Sequence, residues 1–398
     1  MIIGIVGKPN VGKSAFFRSL TLADAESGNF PFTTINANSA IGYVKVEDPA
    51  IPYGQHSMPR DGYVLGDYRF VPIEIIDVAG LVPGASEGKG LGNKFLNDLR
   101  EANALIHVID LSGGTNDKGE TVEINSYDPA NDIKFLETEL NQWFYNIISK
   151  HWKNIEKKVR MQDQRIEVAL GSVVSGLNIS ENQILRAIQE LNITKENMGD
   201  NLMELSIKLR EVSKPMIIAA NKCDALMEDN LWKTKLEKLQ KEFPLYKIIP
   251  VIAEYEYNLK KAAENKIISY IPGENHFEIL DENSLNENQK KGLEIIAKNI
   301  KTLGGTGVQD SLNYAVFDLL KMKPIYPGSE KSIMGKTNFV IPDCFLMEES
   351  ATALDFAYRL HTDFGKYFIK AIDVKNKIMV GKEHKLKFGD VIEIISSK

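Results

Sequence analysis

Cysteine is scarce in this chain of 398 residues, which has only Cys223 and Cys344. Two thiols so far apart in sequence give neither a disulfide framework nor a metal knuckle, and they fit a reducing cytosol. Long apolar runs are lacking as well. None reaches the length of a membrane span, so no membrane partner is expected. No basic stretch with a cleavage site precedes the first apolar segment, and a cytoplasmic location is the expectation. An excess of positive charge is also missing. The formal net charge of −6 argues against non-specific polyanion binding by the whole chain, and no DNA partner is expected. A local basic face stays open, because net charge does not say where the charges sit. What is present is the ordinary make-up of a globular protein, 43% hydrophobic and 26% charged, long enough for two or three domains.

The most informative segment lies at the N-terminus. The apolar run Ile2–Val6 leads straight into Gly7-Lys8-Pro9-Asn10-Val11-Gly12-Lys13-Ser14, a strand entering G-x-x-x-x-G-K-[ST]. Glycines let the backbone curl so that successive N–H groups point at phosphate oxygens. Lys13 can then reach the β/γ-phosphates, and the Ser14 hydroxyl can ligate Mg²⁺. A helix expected from Ala15 to Leu20 aims its positive end at the same anion. Lys8, Pro9, Asn10, Val11, Gly12, Lys13, Ser14 and Ala15 are therefore the expected phosphate-binding segment.

Further segments follow in a telling order. Asp77-Val78-Ala79-Gly80 closes the apolar stretch 71–76 as D-x-x-G. Asp77 there can hold Mg²⁺ through water, and Gly80 can bring its N–H to a γ-phosphate. Asn221-Lys222-Cys223-Asp224 follows the stretch 216–220. N-K-x-D is the guanine-selecting motif of Ras-like GTPases: the Asp224 carboxylate accepts from guanine N1–H and the exocyclic amine, and adenine offers neither donor there. Asn221 is expected to tie this loop to the phosphate loop, and the Lys222 stem to cover the base plane. In Pro31-Phe32-Thr33-Thr34, Thr34 is favoured over Thr33 as the residue meeting Mg²⁺ and the γ-phosphate. After the stretch 248–252 a Ser-Ala pair is expected, but the chain has Ile252-Ala253-Glu254. Ala253 can still offer its N–H to the guanine carbonyl oxygen.

The apolar stretches 2–6, 71–76, 104–109, 216–220 and 248–252 read as strands buried on both faces, with helices between several of them. Between them, Ile133, Leu136, Leu140, Trp143 and Ile147 step by three and four, as a long helix requires. The predicted domains are a nucleotide-binding unit at 1–130 and 214–275, an inserted helical domain at 131–213, a helical segment and linker at 276–336, and a small α/β module at 337–398. His107, inside a strand, reads as a core residue. The basic cluster Lys150, Lys153, Lys157, Lys158 and Arg160 reads first as a solvated helix face, with RNA contact as the alternative.

Assembled, these segments resemble the Obg family of translation-factor-class GTPases, most closely its archaeal YchF branch, relatives of the Obg-like ATPases. The resemblance is carried by GKPNVGKS at 7–14, NFPFTTINAN at 29–38, IDVAGLVPGASEGKGLGNKFL at 76–96 and ANALIHVID at 102–110. The C-terminal module, through Leu386-Lys387-Phe388-Gly389-Asp390, is similar to a TGS domain, a small β-grasp fold. The resemblance implies an α/β phosphate-loop NTPase with a Ras-like, mainly parallel sheet, an inserted α-helical hairpin or coiled coil, and the TGS module. It implies a Mg²⁺-dependent enzyme turning GTP into GDP and phosphate, a switch partnered with the ribosome or ribosomal RNA; a monomer is the default expectation, and the sequence does not fix the oligomeric state. An ATPase of the same fold and a non-catalytic, nucleotide-stabilised RNA-binding scaffold are the alternatives. Many YchF members prefer ATP with a drifted N-x-x-E motif, whereas this chain keeps Asp224 and so points to GTP. Leu81 stands where Ras-like enzymes place a water-orienting glutamine. Asn10 matches an asparagine that helps hold K⁺ in a number of such enzymes. Lys13, Asn10, Thr34 and Gly80 are thus the expected catalytic residues, and Ser14, Thr34 and Asp77 the metal residues. Relatives often carry cysteines near positions 53–62; this chain has none there, and neither metal nor redox control is expected in that loop.

Overall fold

A computed structural model describes residues 1–21, 38–78, 92–177, 179–336 and 339–397. In chain order the elements begin with β1 (Ile2–Val6), α1 (Lys13–Thr21), β2 (Ser39–Glu47), β3 (Tyr63–Leu65), β4 (Tyr68–Asp77), α2 (Gly92–Glu101) and β5 (Ala104–Asp110). Four helices follow, α3 (Ala130–Met161), α4 (Ile166–Val174), α5 (Glu181–Glu190) and α6 (Leu202–Ser213). Next come β6 (Met216–Asn221), α7 (Leu231–Glu242), β7 (Ile248–Pro250), α8 (Ala253–Glu264), the short pair β8 (Ile268–Ser269) and β9 (Glu278–Ile279), and α9 (Glu287–Leu303). The rest comprises α10 (Val308–Asn313), β10 (Lys323–Pro327), α11 (Glu330–Ile333), β11 (Phe345–Met347), α12 (Ala353–Leu360), α13 (Thr362–Lys366), β12 (Phe368–Asp373), β13 (Ile378–Val380) and β14 (Val391–Ser396).

Among the described residues these elements gather into two compact units, one of 1–21, 38–40 and 74–311, the other of 41–73 and 312–397. In the first, the strand order is β4-β1-β5-β6-β7 and every pairing along it is parallel. All residues of β5 are buried, as expected of a strand covered on both faces by helices. The chain's first strand thus lies between β4 and β5, and its end delivers residues 7–12 to the carboxyl edge of the sheet.

The helical stretch is more than a hairpin. The apolar stripe holds as one helix of 32 residues, α3, burying Ile133, Leu136, Leu140, Trp143, Phe144, Ile148, Ile155 and Val159. Both α4 and α6 pack on α3, and α5 packs on α4 and α6, burying Ile184, Ala187 and Ile188. Ser180 and Gln183 form a capping box that starts α5, satisfying backbone donors that open a helix. In the segment after β7, α9 buries Ile296 and Ile300 with Leu259 of α8 and Ile268 and Tyr270 around β8.

In the second unit the C-terminal sheet runs β11-β10-β14-β12-β13, with Phe356 and Ala357 of α12 buried. The sheet therefore also takes in a strand that precedes residue 337. Pro324, Pro327 and Gly328 predict a linker, yet residues 323–327 form β10 inside the sheet. The prolines are tolerated because the donors used toward β14 are the N–H groups of Tyr326, to Asp390 O at 2.9 Å, and Gly328, to Ile392 O at 3.2 Å.

Candidate nucleotide site

The turn after β1 is shaped by two left-handed positions, Asn10 (φ 64°) and Gly12 (φ 92°). Asparagine visits that region more readily than most residues. At Gly12 no side chain fits, because a Cβ would stand 2.2 Å from Asn221 Nδ2. Val11 is wholly buried, and the Phe16 N–H donates to the Gly12 carbonyl at 2.9 Å as α1 opens. Pro9, Asn10 and Ser14 are exposed; Lys13 and Ala15 are half-buried.

Asn221, the last residue of β6, brackets this loop. Its Nδ2 donates to Val11 O at 2.9 Å, and its Oδ1 accepts from the Ala253 N–H at 3.1 Å. One buried side chain therefore joins the phosphate loop, the N-K-x-D loop and the start of α8. The expectation that Asn221 ties the loops has a direct geometric counterpart. The Ala253 N–H, expected to meet a guanine carbonyl, donates to Asn221 in this structure.

The Lys13 ammonium meets the Asp77 carboxylate directly and also donates to Val78 O at 2.9 Å. The loop lysine and the last residue of β4 are therefore neighbours, and both side chains keep some exposure, 13% and 28%. Lys8 is engaged elsewhere. Its ammonium donates to Asp132 Oδ1 at 2.8 Å and Thr115 O at 2.9 Å and sits 3.8 Å from the Tyr127 ring centroid. With its side chain so engaged, Lys8 can serve in the expected phosphate-binding segment through its backbone N–H. Lys222 is also anchored, donating to Asp110 Oδ2 at 2.9 Å and Thr115 Oγ1 at 3.2 Å. Asp224 is half-buried; burial pushes its carboxyl above the usual range, while its own N–H and that of Ala225 pull it down. Thr34, Gly80 and Leu81 lie outside the described residues.

His107 is 1% exposed, and burial, reinforced by the nearby Lys8 charge, lowers its pKa to about 3. It stays neutral in the sheet, as a core residue should. Sequence reasoning gave no role to Asp110, Thr115, Gly119 and Asp132, which touch Lys8, Lys222 and Asn10; the last three lie beyond any quoted motif. The only available signal was that Asp110 ends a core strand, where polar residues of α/β proteins gather.

Three family models match the chain. The 50S ribosome-binding GTPase model covers residues 2–146, the Obg-like GTPase YGR210-like, G4 motif-containing domain covers 219–330, and the TGS domain covers 337–396. An uncharacterised GTP-binding protein of Methanocaldococcus jannaschii is 45% identical over 100% of this chain and 99% of its own length. The ribosome-binding ATPase YchF of Buchnera aphidicola is 27% identical over 98% of each chain. The crystal structure of a GTP binding protein from Pyrococcus horikoshii superposes with a TM-score of 0.79 at 34% identity, covering 100% of both chains. The chain belongs to the YchF branch of the Obg-like GTPases, phosphate-loop GTP-binding proteins that carry a TGS domain.

Proposed function

We propose that this protein hydrolyses GTP to GDP and phosphate with Mg²⁺ and acts as a nucleotide-dependent switch on the ribosome. The observation that carries the reading is the Asn221 bracket. It ties the loop that would hold phosphate to the loop bearing Asp224, which supports a reading in which one nucleotide engages both. Backbone N–H groups from Asn10 to Ser14 and the Lys13 ammonium would neutralise phosphate charge, and Asp224 would select guanine. The exposed Ser14 hydroxyl and the partly open Asp77 carboxylate are hard oxygen donors suited to Mg²⁺. Thr34 completes the proposed metal set, and the ion would offset charge on the β/γ-phosphates. Gly80 would sense the γ-phosphate. Leu81 offers no hydrogen bond to an attacking water, so the intrinsic rate should be slow. The ribosome-binding name of the Buchnera relative supports the proposed partner.

Single-turnover hydrolysis of GTP and of ATP, each with and without purified ribosomes, tests the reading. Faster GTP turnover with ribosomes, and co-sedimentation that depends on the nucleotide, are expected. Tighter ATP binding would turn the assignment to an ATPase; no turnover in any condition would leave a scaffold.

Asn10 carries a separate prediction. Its Nδ2 donates to Gly119 O at 2.7 Å, which fixes the side chain and leaves the amide oxygen as the atom a K⁺ ion would use. GTP turnover in KCl is expected to exceed that in NaCl by about tenfold if this ion takes the place of an arginine finger. Equal rates in the two salts would refute a K⁺ role.

A further inference from the structure

Residues 111–129 join β5 to α3 and run past both nucleotide loops. On the phosphate side, Lys8 is held by Thr115 O and Asp132 Oδ1, and the Tyr127 hydroxyl donates to the same Asp132 oxygen at 2.9 Å. Asn10 is held by Gly119 O. Gly119 has φ 80°, and a Cβ there would come within 2.9 Å of Pro9 Cβ, so the two backbones touch. On the base side, Lys222 is held by Asp110 and Thr115, and Thr115 Oγ1 donates to Asp110 Oδ2 at 2.6 Å. Thr115 and Thr121 pair as a β-bridge, closing the tip of the segment into a small loop. Asp110 and Thr115 are each 1% exposed, and Asp132 6%.

We propose that residues 110–132 form a strap that sets how tightly the nucleotide is held, with Asp132 and Asp110 as positioning residues. Neither would touch nucleotide: Asp132 acts through Lys8 on the phosphate loop, and Asp110 through Lys222 on the base loop. The physical basis is that each lysine rests on one buried carboxylate; the Lys8 side chain is itself buried, 7% exposed, while that of Lys222 keeps 36% of its surface open. Removing either member of the Lys8–Asp132 pair, or Lys222 from Asp110, leaves a buried charge uncompensated, and the loop must move to rehydrate it. These pairs are made by the protein's own groups, so the strap would pre-order the site and meet part of the ordering cost within the fold. Asp132 Oδ2 is buried without a hydrogen-bond partner among the described residues, so the Lys8 contact is the carboxylate's main compensation.

The inference rests on the nucleotide-binding reading, and the two can fail separately. Release of a fluorescent N-methylanthraniloyl-GDP is followed by stopped flow for the wild type, Asp132→Asn, Lys8→Met and the double variant, with circular dichroism melts alongside. Failure of the wild type to bind the probe would sink the nucleotide-binding reading itself. Given binding, each single variant should speed release by about tenfold, and the double variant no further, because one pair is being broken. Tyr127→Phe removes only a hydroxyl and serves if the charge variants fail to fold; about threefold faster release is expected from it. Unchanged release in folded variants, or a double variant whose effect is the product of the two singles, would overturn the proposal. A residue that merely stabilised the fold would lower the melting temperature and leave release below it unchanged.

Discussion

Asp224→Asn is expected to weaken GTP binding by about a hundred- to a thousandfold while leaving the fold intact. The carboxylate is half-buried at the edge of the N-K-x-D loop, with its own N–H and that of Ala225 already aimed at it. Guanine would present two donors to this group. An asparagine keeps one acceptor and turns an NH₂ toward the other donor, so one hydrogen bond is lost and a donor–donor clash replaces it. A charged hydrogen bond contributes roughly 1.5–3 kcal/mol, and an unpaired donor adds a penalty of similar size. The sum corresponds to the stated range. Xanthosine triphosphate, which carries a carbonyl where guanine has its amine, should regain most of the affinity in the variant. Isothermal titration with GTP, ATP and xanthosine triphosphate reads all three outcomes. Wild-type affinity for GTP in the variant would mean that Asp224 does not read the base.

Gly12→Ala should abolish detectable nucleotide binding, a loss of at least about a hundredfold. Two independent costs act at this position. The backbone sits at φ 92°, where a side chain is strained by roughly 1–3 kcal/mol. A Cβ would also stand 2.2 Å from Asn221 Nδ2, so the bond from Asn221 to Val11 O must break and leave both groups unpaired. Stability should fall together with affinity, by about 2–4 kcal/mol on denaturant titration. Adding Asn221→Ala to Gly12→Ala relieves the clash and should recover part of the stability, but no affinity, since the bracket is then gone. Binding by Gly12→Ala within threefold of wild type would contradict the geometry of this loop.

What the sequence made legible follows the range of each interaction. The loop from Gly7 to Ser14 declares itself because strand, turn and helix cap are all local. The tie made by Asn221 was readable as well, although its partner lies 210 residues away, since a named motif stands for the contact. No such marker announces Lys8 with Asp132, separated by 124 residues, or Asn10 with Gly119, separated by 109. A lysine in a phosphate-binding sequence looks like a phosphate ligand until its buried carboxylate is seen. The Asn221 contact of the Ala253 N–H was hidden for the same reason: a backbone N–H has no sequence signature, and its acceptor belongs to another loop. The prolines of β10 misled in a different way. Proline removes a donor, but the pairing there draws on Tyr326 and Gly328, so the loss falls where the ladder does not need it.

The position of β1 also bears on the order in which the protein can be made. The phosphate loop is synthesised well before the residues that close it, because its strand is flanked by β4 and β5 and its turn is closed by Asn221 and, through it, Ala253. A nascent chain shorter than that cannot complete the loop, however much of the N-terminal sequence is already exposed. Bound nucleotide, which stabilises only the finished state, therefore cannot guide the early stages of folding. It acts instead as a late check, rewarding only chains in which residues more than two hundred positions apart have found each other.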